Sequence, residues 1–451
     1  MNWYGATPKH WDERRIGSLL KQRKEKNDPI QTSFILSLSS AHGVVPYAER
    51  QEKGGNKPKS DLSKYMVANV DDLLVNCMNV LSGSSGVSKW HGAISPVYYA
   101  LYPQQVDNVT IWFYNYIFRS PVFYRSLIRL GRGILMYESS SGAWNTIRLR
   151  ISMQDLNNVF VPHPPIDEQE QVVRWLNWQT YHIQKFLSAN QRKIECLKEL
   201  KKSLICETTT VGLKPNKEMK IIDTYFEHAV PHHWREVKLK RILQKLVRAY
   251  SADAEILICS NKGTVFPRGD SKIGLVSESE SFYQGVCNGD LLIHGMDTWH
   301  GAIAVSELDG KCTGVVHVCS SEQNKMFIAY YLQMLAFRKL YKAITNGVRQ
   351  NTSDFRSWEK AGEILIMLPP KKEQDAIAAF LNEKCTAIDQ LITKITKEIS
   401  LVNEYHTRII SDAVTGKIDL RGVEVPEYIN EEDDLSIDET PEMEDEASVD
   451  D

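Results

Sequence analysis

Two stretches of the chain carry apolar residues in a repeating three- and four-residue spacing. Each stretch starts after a Pro-Pro pair, at 164–165 and 369–370, and has acidic residues in its first turn. Proline ends the preceding segment, and carboxylates suit the positive end of a helix, so both pairs mark helix starts. Gly212 and Gly416 follow the last apolar positions, where a helix C-terminus favours glycine. The pattern predicts two rods of roughly 42 residues, each about 60 Å long.

The two rods belong to an internal repeat. A shift of 205 residues aligns 164–210 with 369–415 without a gap and gives eleven identities, where chance would give about three. A second pair of similar segments is 8–20 and 231–243. They share Pro8/Pro231, His10/His233, Trp11/Trp234, Glu13/Glu236 and Leu20/Leu243. The duplicated unit is therefore larger than a helix, although a plain helical core with coincidental similarity is the alternative.

A spacing sustained over this length is typical of coiled-coil seams rather than of ordinary surface helices. Asn190 and Lys201 interrupt the first seam, and His406 interrupts the second. If the two units are equivalent, the rods pack antiparallel. The predicted seam residues are Ile183, Leu187, Ile194, Leu197 and Leu204 in the first rod, and Ile388, Ile392, Ile395, Ile399, Val402 and Ile409 in the second.

The segments between the matching ends, 8–163 and 231–368, share little residue identity. Apolar and small residues alternate around glycine turns at 75–101 and 286–305, which predicts β-hairpins, and both stretches contain Trp-His-Gly-Ala-Ile. Aromatic-rich helices follow at 111–130 and 325–344, and we interpret them as buried amphipathic faces. The pattern suggests one scaffold that carries two different recognition segments, here called the first reader (8–163) and the second reader (231–368).

The formal net charge of −3 conceals a strong asymmetry. Residues 424–451 contain fourteen Asp and Glu and no Lys or Arg, which leaves 54 basic and 43 acidic residues in 1–423, a net of +11. Self-repulsion and scarce apolar residues predict a disordered tail. The basic body permits a polyanionic partner without proving one.

Motifs for catalysis are missing from the sequence. It has no phosphate-binding loop, nucleotide-binding glycine fingerprint, zinc-protease helix, nucleophile elbow or amino-methyltransferase motif. The eight cysteines form no C-x-x-C pair and the histidines lack zinc-ligand spacing, which favours a reducing cytosol and structural roles. No apolar run is long enough for a membrane helix, and the N-terminus does not resemble a signal peptide.

The matching segments of the repeat, with Pro-Pro at 164–165 and 369–370 and the helices that follow, resemble the specificity subunit of type I restriction–modification systems. The resemblance is carried by VPHPPIDEQEQVVRWLN, IMLPPKKEQDAIAAFLNEKCTAIDQLI, ISDAVTGKIDLRG, the linker GLKPNKEMK before VPHHW, and VNCMNVLSGSSGVSKWHGAISPVYY, and it spans about 8–422. It implies an α+β chain in which two target-recognition domains of mixed β-sheet and helices are separated by two long antiparallel coiled-coil helices, in a pseudo-two-fold arrangement.

The resemblance also implies partners. Each recognition domain would read one half of a split, asymmetric site in double-stranded DNA, while the helices dock two methyltransferase subunits and endonuclease–translocase subunits join that core. S-adenosylmethionine, ATP and magnesium would then belong to the partners, with no cofactor in this chain. The implied domains are 1–163 and 231–368 for recognition, 164–212 and 369–422 for the helices, 213–230 for the linker and 423–451 for the tail.

Exposed polar residues in the hairpin loops and after each aromatic helix are the candidates for DNA contact. Trp178, where the second rod has Glu383, predicts a contact with that rod or with a partner, or else an extra core aromatic. Two other hypotheses stay open: a coiled-coil scaffold without DNA binding, and a single-chain restriction–methylation enzyme.

The candidates for DNA contact are Lys89, Arg129, Arg132, Trp144 and Arg148 in the first reader, and Lys262, Arg268, Trp299, Arg349, Gln350 and Asn351 in the second.

Overall fold

The computed structural model describes residues 3–39, 42–49, 58–78, 83–134, 148–214, 218–223, 227–269, 282–341 and 355–427. The chain divides into two compact units. Unit 1 contains Met1–Ala189 and Glu398–Asp451, and unit 2 contains Asn190–Lys397. Helices and antiparallel strands occur in both units, so the chain is α+β, as predicted. Most of the predicted acidic tail, residues 428–451, lies outside the described residues.

Unit 1 is built on an antiparallel four-stranded sheet in the order β2-β9-β6-β7, flanked by the pairs β1–β12, β3–β4, β5–β8 and β10–β11. The helices of this part of the chain are α1 (Ile16–Leu19), α2 (Ile111–Arg119), α3 (Pro121–Ser126), α4 (Met153–Asn157) and the start of α5 (Ile166–Val211). The strands are β1 (Asp12–Arg15), β2 (Leu20–Arg23), β3 (Leu36–Ser39), β4 (Gly43–Pro46), β5 (Met66–Ala68), β6 (Leu73–Asn76), β7 (Ser85–Val87), β8 (Gly92–Ile94), β9 (Tyr98–Pro103), β10 (Arg132–Ile134), β11 (Arg148–Arg150) and β12 (Phe160–His163).

Unit 2 has the same strand order in its four-stranded sheet, β16-β23-β20-β21, with the pairs β15–β24, β17–β18, β19–β22 and β13–β14. Its helices are α6 (Lys325–Phe337), α7 (Trp358–Ala361) and the start of α8 (Lys371–Val414). The strands are β13 (Met219–Asp223), β14 (Glu227–Pro231), β15 (Arg235–Lys238), β16 (Gln244–Leu246), β17 (Leu257–Cys259), β18 (Val265–Pro267), β19 (Tyr283–Val286), β20 (Leu291–His294), β21 (Ile303–Val305), β22 (Gly310–Thr313), β23 (Val316–Ser320) and β24 (Leu365–Leu368).

The two units therefore share one topology, although their middles share little sequence. Strands β1 to β9 correspond in order and pairing to β15 to β23, and β12 corresponds to β24. The shared Trp-His-Gly-Ala-Ile does not follow this correspondence: its first copy leads into β8, whereas its second copy leads into β21, the equivalent of β7. That short match is thus not a structural equivalence.

Aromatic residues make up much of each core. Phe113, Tyr114 and Phe118 of α2 are fully buried, and so is Phe327 of α6, as expected for these helices. The first aromatic stretch is shorter than predicted as a single helix, because Pro121 starts a new helix after Ser120. The core of unit 1 also includes residues from the end of α8, and the core of unit 2 includes Ile205 from the end of α5.

The predicted rods are present as continuous helices of 46 residues (α5) and 44 residues (α8). Gly212 and Gly416 follow them with φ values of +77° and +71°, the left-handed conformation that favours glycine. Every predicted seam residue is buried or half-buried, whereas Leu200 and Leu401, on other faces of the two helices, are about half exposed. The apolar spacing therefore marks the covered face of each helix.

Candidate nucleic-acid interface

In unit 1 the first turn of α5 is held by a cluster of four residues, here called junction 1 (His10, Trp11, Glu168 and Gly416). His10 Nε2 lies 2.8 Å from Oε1 of Glu168, and the Trp11 indole N–H donates to Oε2 at 2.8 Å. A Cβ at Gly416 would lie 2.4 Å from the Pro8 ring. Glycine is therefore required both by the backbone conformation and by the space at this position.

Unit 2 contains the equivalent cluster, junction 2 (Gly212, His233, Trp234 and Glu373). His233 Nε2 lies 2.7 Å from Oε2 of Glu373, and the Trp234 indole N–H reaches Oε1 at 3.4 Å. A Cβ at Gly212 would lie 3.1 Å from the same Oε1. The histidine, tryptophan and glutamate are all identities of the sequence repeat. The two pairs of similar segments therefore form the same contact in each unit.

A buried glutamine joins each aromatic-rich helix to the start of a long helix. Gln169 and Gln374 are completely buried. Gln169 Oε1 accepts a hydrogen bond from the N–H of Thr110, the residue before α2, at 2.9 Å. Gln374 Oε1 accepts one from the N–H of Asn324, the residue before α6, also at 2.9 Å. Each Nε2 donates to the first carbonyl of the preceding Pro-Pro pair at 2.8 Å, so both amides are fully used.

A second polar contact lies about two turns further along each long helix. The Tyr116 hydroxyl donates to Oδ1 of Asn177 at 2.6 Å, and the Tyr330 hydroxyl donates to Oδ1 of Asn382 at 2.8 Å. Both asparagines are identities of the repeat. The most repeated part of the sequence therefore attaches the reader of each unit to its helix, and it leaves the reader's other surfaces free to differ.

A buried ion pair stabilises each four-stranded sheet. Arg23, at the end of β2, donates from Nε and Nη2 to the two carboxylate oxygens of Asp72 at 2.7 and 3.0 Å. Arg248 makes the equivalent pair with Asp290. The aspartate side chains are only 1% and 7% exposed. Each aspartate precedes a Leu-Leu strand start, in Asp-Leu-Leu at 72–74 and 290–292, and that shared tripeptide is the signal that the sequence reading missed.

The structure brings together part of the first set of candidate residues. Arg132 lies on β10 and Arg148 on its partner β11, and Arg129 lies three residues before Arg132 in a turn of 3₁₀ helix. Arg129, Arg132 and Lys89 are exposed, but Lys89 lies elsewhere in the unit, between β7 and β8. Trp144 falls outside the described residues.

The second set is more scattered. Lys262 is exposed in the turn between β17 and β18, and Arg268 follows β18 and is half-buried. Lys262 also lines a cavity of about 570 Å³ together with His294 and Asp297. Trp299 packs against the core of unit 2, which makes it the weakest candidate for an exposed contact. The other three candidates, Arg349, Gln350 and Asn351, fall outside the described residues.

Comparison with known proteins identifies relatives for the whole architecture. No protein-family model matches the chain. The chain is 24% identical over 284 residues to a Methanocaldococcus jannaschii protein named as the specificity subunit of type I restriction enzyme MjaX, a match that covers 59% of this chain and 61% of the relative's length. It is 22% identical over 444 residues to the type I restriction enzyme MjaVIII specificity subunit of the same organism, covering 92% and 95%.

The chain is a relative of type I restriction enzyme specificity subunits. Solved structures agree on the fold. A chain from a study of the complex assembly and conformational transition of the type I R-M system matches with a TM-score of 0.65 at 14% identity, over 92% of this chain and 100% of that chain. The HsdS subunit from Thermoanaerobacter tengcongensis matches with a TM-score of 0.50 at 14% identity, over 93% and 100%.

Several buried cysteine and histidine side chains of the described residues are held in their neutral forms. All eight cysteines are unpaired, and burial raises the pKa of Cys312 and Cys319 to about 12, so both thiols stay neutral. Burial lowers the pKa of His294 and His317, which favours neutral imidazoles. Within the described residues, no three His, Cys, Asp or Glu side chains are grouped to hold a metal ion. No helix in the described ranges is long and apolar enough to cross a membrane.

Trp178 of α5 is half-buried, and its ring lies edge-on to His182 of the same helix, with the ring centroids 4.7 Å apart. Because part of the indole stays accessible, this neighbour leaves room for a further contact. The three alternatives for Trp178 therefore remain predictions.

Proposed function

We propose that this chain is the DNA-specificity subunit of a type I restriction–modification complex and that the readers of units 1 and 2 each recognise one half of a bipartite, asymmetric site. The names of its relatives supply the class of protein. The observation that carries the bipartite interpretation is the pair of units with one strand order and unlike sequences. Two different readers on related scaffolds recognise two different half-sites, as paired readers of other DNA-binding proteins recognise identical ones.

The contacts within each unit support an antiparallel pair of rods. In unit 1 Thr180 Oγ1 lies 3.0 Å from His406 Nε2, while Gln171, earlier on α5, donates to the carbonyl oxygen of Val423 at 2.6 Å. Later positions of α5 therefore contact earlier positions of the segment 406–423, as in an antiparallel pair. In unit 2 Lys201 Nζ lies 2.6 Å from Asp389. We infer that the seam residues pair in a coiled coil that sets the spacing between the readers.

The same proposal assigns the chemistry to partners. Two methyltransferase subunits dock on the long helices, and endonuclease–translocase subunits complete the complex in the cytoplasm. S-adenosylmethionine, ATP and magnesium bind to those partners, while this chain supplies no catalytic residue. The only step assigned to this chain is recognition, in which side chains reach base edges and phosphates.

Methylation mapping tests the proposal. The chain is expressed with its methyltransferase partner, and modified positions in genomic DNA are mapped by single-molecule sequencing. The expected result is one asymmetric motif with two specified parts and a fixed spacer. Methylation that lacks any motif, or a motif that persists without this chain, would favour a protein scaffold. Binding of S-adenosylmethionine by the isolated chain would favour the enzyme hypothesis.

The basic body of the chain predicts a steep salt dependence of DNA binding. Residues 1–423 carry a net charge of +11. Neutralising even six phosphates implies a slope near −5 in a plot of log affinity against log salt concentration. Gel-shift titrations of the assembled complex between about 50 and 200 mM salt measure this slope. A slope indistinguishable from zero would contradict a DNA surface on this body.

A further inference from the structure

The pair β10–β11 of unit 1, here called the arginine ribbon, places two like charges face to face. In its antiparallel register Arg132 lies directly opposite Arg150. Directly opposed like charges destabilise a strand pair. A ribbon of this kind is stabilised when an anion lies over both guanidinium groups.

Both charges are exposed to solvent. The Arg132 side chain is 81% exposed and forms a loose ion pair with Asp155, with Nη2 and Oδ2 3.7 Å apart, beyond hydrogen-bond distance. Arg150 is also exposed, and within the part of the chain that the structure describes it forms no ion pair. The ribbon therefore presents two charges to the solvent side of unit 1.

Two neutral groups neighbour Arg150. Its neighbours are the hydroxyl of Tyr99 and the thiol of Cys77. Burial raises the pKa of both groups, so neither is an anion at neutral pH. The Tyr99 hydroxyl is itself fixed, because it donates to the carbonyl oxygen of Ile151 at 3.0 Å. Arg150 therefore lies beside one fixed hydroxyl group, whereas Arg132 has only its loose ion pair with Asp155.

The composition around the ribbon points to phosphate or guanine as the partner. Residues 111–151 contain six arginines, no lysine or aspartate, and a single glutamate. Arginine presents a planar fork that binds two acceptor atoms at once, which lysine cannot do. A two-stranded ribbon also has the width that the major groove of B-DNA admits, and a bidentate arginine on the O6 and N7 of guanine is the commonest specific contact there.

We propose that the arginine ribbon enters the major groove of the first half-site, where Arg150 reads a guanine and Arg132 contacts a neighbouring phosphate. This inference rests on the proposed function and assigns Arg150 as a specificity-determining residue. Arg150, which lies beside a fixed hydroxyl group, suits base reading, which demands a defined direction, and the highly exposed Arg132 suits the backbone, which does not.

The test of Arg150 uses the complex of the full chain with its methyltransferase partner, selecting from a duplex library randomised in both half-sites. Arg150→Ala and Arg150→Lys are expected to relax one guanine position of the first half-site, by about 5- to 140-fold in preference. The second half-site is expected to be unchanged, and this shows that the variants have folded. Arg150→Lys retains the charge, so an unchanged motif in this variant would overturn base reading.

The test of Arg132 has a matched control on the same unit. Arg132→Ala is expected to weaken binding to all library sequences alike and to reduce the salt slope by about 1. Arg14 on β1 is 55% exposed and lies 2.9 Å from Asp12, so Arg14→Ala removes an exposed arginine of the same unit that lies on neither the ribbon nor the long helices. Equal effects of the two variants would overturn the phosphate contact.

If the unmodified complex shows no sequence preference, the proposed function itself fails. If every variant shows the normal motif, only the assignment of the arginine ribbon fails.

Discussion

A fragment ending at Pro215 is expected to form a homodimer. The fragment lacks the second segment of unit 1, which supplies Val414 and Leu420 to the core, each at most 5% exposed. Each such side chain contributes about 1.5–3 kcal/mol when buried. It also lacks Ser411, whose hydroxyl lies 2.9 Å from that of Ser120 in the interior. A monomer of this fragment would expose an apolar surface of several side chains.

A second copy of the fragment offers a close substitute for the missing segment. The end of α5 repeats the end of α8, with Ile205 in the place of Ile410 and Thr210 in the place of Thr415. In unit 2 this end of α5 already packs into a core, where Ile205 is completely buried, and it leads to the glycine of junction 2. Two copies can therefore exchange these ends, each closing the junction 1 of the other.

Sedimentation of the 1–215 fragment measures its state, with a 1–189 fragment as the matched control. The shorter fragment keeps the reader but lacks the exchanging end of α5, so it is not expected to dimerise. With a methyltransferase partner, the 1–215 dimer is expected to modify an inverted repeat of the first half-site, because both readers would be copies of unit 1. A stable, soluble monomer of 1–215 would contradict the two-unit architecture.

The elements that the sequence predicted are those fixed by local signals. The Pro-Pro pairs, the seven-residue spacing and the glycines at 212 and 416 each act within a few helical turns, and both long helices begin and end near them. The hairpin signal around β6 and β7 is local in the same sense. Junctions 1 and 2 were accessible in principle as well, because their residues are identical in both copies of the repeat.

The elements that escaped prediction depend on contacts between distant residues. The placement of β9 between β2 and β6 depends on pairings over about 25 to 80 residues, and periodicity says nothing about which strands meet. The equivalence of the two readers was hidden for the same reason, since core volume and strand alternation can be conserved while residue identity is lost. The Trp-His-Gly-Ala-Ile match illustrates the opposite error, in which five identical residues occupy non-equivalent strands.

Candidate contact residues were the least accessible to sequence reasoning. Trp299 was a reasonable choice as an aromatic in a glycine-containing stretch, but the structure packs it against a core. The sequence does not single out Arg150, because only the register of β10 and β11 shows that it lies opposite Arg132. The cross-strand neighbour of Arg150 is Arg132, which lies 18 positions earlier in the sequence. Local sequence patterns do not reach over this distance.

Removal of the guanidinium of Arg23 is expected to destabilise the protein strongly. The carboxylate of Asp72 is 1% exposed and accepts two hydrogen bonds from Arg23 and one from the N–H of Asn69 at 2.8 Å. In Arg23→Met the carboxylate loses its counter-charge while it stays buried, and such a loss typically costs about 3–5 kcal/mol. For a unit of this size each kcal/mol lowers Tm by about 2–4 °C, so thermal unfolding should show a decrease of about 6–20 °C.

The double variant Arg23→Met with Asp72→Asn separates the charge from the shape of the pair. Asparagine keeps an oxygen for the N–H of Asn69 but carries no charge, so much of the lost Tm is expected to return. In unit 2 the aspartate of the equivalent pair is 7% exposed and its arginine 36%, so Arg248→Met is expected to cost less than Arg23→Met. If Arg23→Met unfolds like the unmodified chain, the pair is dispensable, and the sheet is held by strand packing alone. If the double variant is as unstable as the single one, the loss comes from the missing arginine stem rather than from the buried charge.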